Sequence, residues 1–337
     1  MRKAVPVFLA AMLILLCGFV ANLSFGAGVW QFDAFFRAIT QFDPTSYEQS
    51  VIVYQRMPRA MIAIYAGAMT AVSGMVLQGL IANPLAAPST LGINAGAAFF
   101  VVAGALFFNL GLFAQGAAAL AGGVCGFLTC FLVARLAGRV NDPRGLSLIL
   151  SGALTSMFFA GLTSALLLAD PGLRTQFLGW VSGNINHVYF ERLGAFWWLG
   201  ILCLTVLLAI VRPMTLIQLG PEKATSAGVN VRLIYVVALT ATVIATASAV
   251  AVCGPIGFVG LVVPHMVRPL TGNHFARALP VSALFGASIC LIADLIAREA
   301  FQPYVLHTGP LLDLLGGLLF VVIVKRFYLS NSVRAST

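Results

Sequence analysis

Gly254 to Arg268 reads GPIGFVGLVVPHMVR, with three glycines, two prolines, a histidine and an arginine set between long apolar runs. Gly and Pro interrupt the helical hydrogen-bond ladder, so this stretch cannot lie against lipid. At membrane depth such a break is tolerated only where protein or a water-filled cavity covers the backbone. The stretch therefore predicts a broken span inside a membrane protein. Gly254, Gly257, Gly260 and Pro264 shape the break, and His265 and Arg268 mark a membrane–water boundary.

Composition points the same way. Of 337 residues 60% are hydrophobic and only 9% charged, whereas soluble domains carry roughly 25% charge. A span needs about 20 apolar residues, so residues 1–337 are expected to form one polytopic unit of about ten helices with no large soluble domain. The net charge of +9 comes from basic residues scattered singly at the ends of apolar runs. They read as topology signals and not as a nucleic-acid patch. The six cysteines all fall in apolar segments without a Cys-x-x-Cys pair, which favours packing over metal or disulfide roles. No metal site or bound cofactor is expected.

Apolar runs bounded by charge, Gly or Pro predict spans near 4–23, 57–81, 89–109, 112–135, 146–168, 193–211, 232–252, 255–268, 276–297 and 309–326. The first is read as a retained helix, because its run is longer than a signal-peptide core. With both termini inside, the inner ends collect Arg2, Lys3, Arg135, Arg139, Arg144, Arg212, Lys223, Arg232, Arg268, Arg277, Lys325, Arg326 and Arg334, thirteen of nineteen basic residues. The outer side collects Arg37, Arg56, Arg59, Arg174, Arg192 and Arg298 with most of the acids. The abundant helical glycines, among them Gly67, Gly74, Gly122, Gly123, Gly126, Gly152 and Gly161, are expected to let helices approach closely. A weak echo links Ala71–Gly74 and the break at Asn83-Pro84 to Ala249–Gly254 and a break at Pro264-His265. This is the pattern of an inverted repeat of helices 2–5 and 7–10.

The 254–268 stretch, Arg56-Met-Pro-Arg59 and Asn83-Pro-Leu-Ala-Ala-Pro88 together resemble the permease subunits of ABC importers for iron-siderophores, haem and vitamin B12. The resemblance runs from about Arg56 to Lys325. It implies a bacterial inner-membrane permease that pairs with a second copy or a paralogue amid membrane lipid. Its further partners would be two ATP-binding subunits and a periplasmic substrate-binding protein. The cargo would be a metal-chelate, in first place an iron-siderophore; the sequence does not distinguish siderophore, haem and cobalamin.

Arg56 and Arg59 lie three apart and project to one side of a helix beginning near Pro58. As exposed arginines they are suited to grip carboxylates in bidentate fashion. The resemblance implies that they dock acids on the two lobes of the binding protein, with Arg298 at a third docking position. Within the cytoplasmic loop 212–232, Glu222, Ala227 and Gly228 keep the order of an importer coupling helix, which Pro221 can open and Gly228 can close. Asn83 and Pro84 fit a turn with a secondary part in the inner gate.

Two departures stand out. Val305–Gly309 and Gly316–Phe320 keep Gly309, Gly316 and Phe320 but lack the family's acid and prolines, and Asp313 falls inside the last apolar run. An intramembrane carboxylate costs several kcal/mol unless paired or facing water, so Asp313 is expected on the translocation path or at a subunit contact. No phosphate-binding loop and no nucleophile with a base partner occurs, so the chain is not expected to be an enzyme; ATP hydrolysis would belong to its partners. The alternative is a proton-coupled secondary transporter using Asp313 or Asp294.

Overall fold

Each long apolar run of the sequence becomes a helix, since a backbone away from water must satisfy its own hydrogen bonds. The structure, a computed structural model, describes residues 4–26, 29–137, 145–302, 304 and 306–324. Helix α1 (Ala4–Ser24) leads through a short hairpin (Phe25–Gly26 with Val29–Trp30) to α2 (Phe32–Thr40) and α3 (Tyr47–Val51). A π-helical turn (Ile52–Arg56) joins α3 to α4 (Met57–Leu80). After a 3₁₀ turn (Pro88–Leu91) come α5 (Ile93–Phe108), α6 (Leu112–Leu136), α7 (Leu146–Ala169), α8 (Pro171–Val181), α9 (Phe190–Ala209), α10 (Val211–Gln218) and α11 (Pro221–Ser226). The chain ends with α12 (Val231–Cys253), α13 (Val259–Thr271), α14 (Phe275–Glu299) and α15 (Thr308–Val324).

Among the described residues, seven helices are long and apolar enough to cross a membrane, and α5 and α15 are shorter apolar helices. With α13 they coincide with the ten expected spans. The eighth begins four residues late, at Val259, and at thirteen residues it is about 20 Å long. The expected 212–232 loop is largely the helices α10 and α11, and α2, α3 and α8 lie outside every expected span. Arg2, Lys3, Arg139, Arg144, Lys325, Arg326 and Arg334, expected at the inner ends, lie outside the described residues.

Helices α4 and α12 form the centre; 83% and 72% of their apolar windows are buried, more than in any other long helix. Their contacts use small and hydroxylated residues. The Ser73 hydroxyl donates to the Thr242 carbonyl at 3.3 Å, and Tyr65 Oη lies 2.7 Å from Ser248 Oγ. Close approach depends on paired glycines. A methyl on Gly67 would strike the Gly286 carbonyl, one on Gly74 the Gly260 carbonyl, and Gly92 and Gly96 meet Gly126 and Gly122 likewise. Gly161 has open space around it and does not share this role. The bulky Leu and Phe side chains of α6, α7 and α15 face outward, as lipid-facing surfaces do.

One ionic contact binds the Arg59 end of the bundle. The carboxylate of Asp294, fully buried on α14, accepts from Arg59 of α4 at 2.6 Å, Asn22 of α1 at 3.3 Å and Thr308 of α15 at 3.4 Å. This corrects one expectation: Arg59 is buried against Asp294 and is not an exposed grip. Arg56 is buried too, because the hairpin folds over it; Gly26 packs against its guanidinium, which donates to the Leu23 carbonyl at 2.9 Å.

Breaking a buried pair leaves an uncompensated charge, a cost of about 3–5 kcal/mol. Asp294→Ala should therefore lower thermal stability in detergent sharply, and the double exchange Arg59→Asp with Asp294→Arg should recover part of the loss; equal stability of Asp294→Ala and the parent would refute the tie. Gly74→Val should cost about 1–3 kcal/mol or more through overpacking against Gly260. Gly161→Ala, in open space, should change stability by less than about 1 kcal/mol, and equal effects of the two substitutions would contradict the packing described.

Candidate gate and coupling site

The broken stretch that opened the sequence reading is a sharp reversal followed by a helix. Gly254, at φ 78°, ends α12, and residues 255–258 run without regular structure to α13. Phe258 starts α13 in a positive-φ conformation (57°) that aromatic residues rarely adopt. Its ring lies against Gly316 of α15, where a methyl would collide with it. Gly309 packs as tightly, donating its N–H to the Gly183 carbonyl at 2.8 Å. The glycines retained near the end of the chain thus have a local steric cause.

Pro264 and His265 were expected to form a break, but both lie inside α13. Pro264 has no N–H for the carbonyl of Gly260, four residues earlier. Gln78 of α4 supplies a substitute, its Nε2 donating to the Gly260 and Leu261 carbonyls at 3.4 and 3.1 Å. The helix therefore continues through the proline. His265 Nε2 donates to the Pro84 carbonyl at 3.0 Å, and its ring meets Phe320 edge-on at 6.1 Å. Asn83 closes its own turn by accepting from the Leu85 N–H at 2.9 Å. The Pro84 and His265 motifs, separated by 181 residues, thus form one junction between α4, α13 and α15.

Beside this junction lies a cavity of about 960 Å³ lined by Gln78, Pro84, Gln218, Pro221, Arg268 and His274, among others. It separates the end of α4 from the start of α11. Pro221 opens α11 and Gly228, at φ 81°, closes it, as the sequence implied. Glu222, Ala227 and Gly228 are exposed, while Ala224 anchors the helix in the core.

At the opposite end, Arg298 donates to the Asn22 and Phe25 carbonyls at 2.9 and 3.0 Å and pairs with Glu299 at 2.9 Å. Arg56, Arg59 and Arg298 are thus gathered where α1, α4 and α14 meet, yet each is committed within the chain. Arg192, expected at the outer rim, is 1% exposed. It donates to the Leu112 carbonyl at 2.9 Å and to Gln115 at 2.6 Å, and stacks over Tyr189 and Trp180. No periodicity marked it, because its partners come from other segments. Asp313 is exposed on α15 and lies against Gly257. Among the described residues no group of three or more His, Cys, Asp or Glu could hold a metal ion.

Comparison with known proteins places this architecture. The Fe(3+) dicitrate transport system permease protein FecD of Escherichia coli (strain K12) is 36% identical over 277 residues, covering 82% of this chain and 85% of that protein. The Fe(3+)-citrate import system permease protein YfmD of Bacillus subtilis (strain 168) is 31% identical over 319 residues, 95% of this chain and 94% of its own length. The ferric enterobactin transport system permease protein FepG of Escherichia coli (strain K12) is 31% identical over 328 residues, covering 94% of this chain and 98% of that protein. A solved inward-facing ABC transporter assigned to the metal-chelate type superposes with a TM-score of 0.80 at 28% identity, covering 96% of this chain and all of that one. Residues 13–326 match the FecCD transport family, and the chain belongs to that family.

Proposed function

We propose that this chain is the permease subunit of an ATP-driven importer of ferric chelates in a bacterial inner membrane. The observation that carries the proposal is the junction of Gln78, Pro84, Gly260 and His265, next to the cavity under α11. It ties the broken helices to each other, across the cavity from the helix on which an ATP-binding subunit would act. Relatives whose names specify ferric citrate and enterobactin transport support the cargo class. In this proposal ten helices span the membrane with both termini inside, and α4 with its break and α5 mirrors α12 with its break and α13. Two permease subunits enclose the path.

A binding protein would dock on the Arg59 end and two ATP-binding subunits on the Pro221 end. Arg56, Arg59 and Arg298 then serve the docking face by holding the hairpin and α14 in place, through their bonds to the Leu23, Asn22 and Phe25 carbonyls and to Asp294. Glu222, Ala227 and Gly228 form the coupling helix. Asp294 is committed to Arg59, so it is a poor proton carrier for the secondary-transporter alternative.

Reconstituted with its partners, the chain should take up radiolabelled iron chelate only with hydrolysable ATP; uptake driven by a proton gradient alone would replace the proposal. Gly228→Trp adds roughly 1–3 kcal/mol of local backbone strain and a bulky ring to the coupling helix. It should depress uptake while the assembled complex keeps its basal ATPase activity; intact coupling would remove α11 from this role.

A further inference from the structure

Helix α2 has three distinct sides. Successive helical residues turn by about 100°, so Phe32, Phe36 and Ile39 form one strip, Asp33, Arg37 and Thr40 a second, and Ala34, Phe35 and Ala38 a third. The third strip is buried where α2 packs on α1 and α3. The polar strip is exposed, but so is the first, in which Phe36 and Ile39 are 62% and 60% exposed. Trp30 extends it. Its exposed ring stacks on Phe32 with centroids 5.1 Å apart.

Sunk in hydrocarbon, α2 would carry Asp33 and Arg37 into lipid, and lifted clear into water it would leave four large apolar side chains wet. Both positions are costly. A helix lying along the boundary between lipid and water satisfies both exposed strips, while protein holds the third. The length of α1 sets α2 at that depth. Its 21 residues extend about 31 Å, against about 30 Å of hydrocarbon, and the exposed Leu9, Met12, Leu13 and Leu16 make α1 a lipid-facing helix. The hairpin that follows therefore emerges at the interface, where the apolar ring and polar N–H of a tryptophan are both accommodated.

We propose that Trp30, Phe32, Phe36 and Ile39 form an anchor that beds α2 in the lipid surface at the Arg59 end of the bundle. The partner is the boundary between headgroups and acyl chains. Asp33 and Arg37 carry opposite charges, so the surface fits the apolar layer and does not require an anionic headgroup. Trp30 belongs to the strand that pairs with Phe25–Gly26, and Gly26 packs on the Arg56 guanidinium. The anchor thus holds the cover of Arg56 to the membrane. It requires that the chain span a bilayer, and it is independent of the cargo.

Nitroxide labelling of the assembled complex in phosphatidylethanolamine and phosphatidylglycerol liposomes tests this. The label is placed at Phe36→Cys, with Cys17→Ala and Cys125→Ala removing the thiols that are not buried. Its collisions with oxygen and with a water-soluble nickel chelate report its depth, which should be about 5–10 Å below the lipid phosphates. The same label at Arg37→Cys, on the polar strip, should lie in water. A Phe36→Cys label in water, or equal depths for the two, overturns the anchor. Spectral broadening between labels on two permease copies would assign the strip to a second copy, and immobilisation only on adding the binding protein would assign it to that protein; either overturns the proposal.

Trp30 provides a check without a label. The share of tryptophan emission lost in Trp30→Phe should be quenched by lipid brominated near the glycerol end of its acyl chains and spared by aqueous iodide. The reverse pattern overturns the anchor.

Discussion

A fully buried carboxylate organises one end of this molecule. Asp294 takes hydrogen bonds from Arg59, Asn22 and Thr308, so four helices converge on two oxygen atoms. Desolvating a charge is expensive, and the arrangement persists only because a guanidinium and two neutral donors surround it. With α4 and α14 locked in this register, Arg298 reaches the carbonyls that end α1, and the hairpin after α1 closes over Arg56. Residues suited by type to an exposed rim become internal braces.

From that end, α4 descends through glycine-mediated contacts, Gly67 on Gly286 and then Gly74 on Gly260. Without a hydrophobic force between helices in lipid, such close approach brings dispersion and backbone contacts into play. It also brings Gln78 within reach of the carbonyls near Pro264, among them the Gly260 carbonyl that the proline leaves unpaired. The proline and its substitute donor are thus two halves of one device, which keeps α13 helical while holding it to α4. The cavity between this device and α11 is lined by Gln78, Pro84, Pro221 and Arg268.

Much of the fold was legible in the residues. Apolar runs located ten helices to within a few positions, since the hydrogen-bond constraint of lipid leaves little else for such runs to form. Pro221 and Gly228 bounded α11, and Asn83 closed its turn, because both effects are local. The Gly254–Phe258 break was legible too, although its place relative to Pro264 was not: an i−4 carbonyl can be rescued by a side chain 182 residues away, and no local pattern records that.

What the sequence determined by itself was the membrane-spanning helical class, the kinship to importer permeases and the list of chemically unusual residues, all set by composition and short-range order. Tertiary structure alone decided what those residues do. It set whether Arg59 meets water or Asp294, whether Arg192 is a rim charge or a buried one between aromatic rings, and which residue Asp313 lies against. Burial and charge pairing depend on which distant segments pack together, and in this chain the partners of Arg56, Arg59, Arg192 and His265 lie dozens to hundreds of residues away.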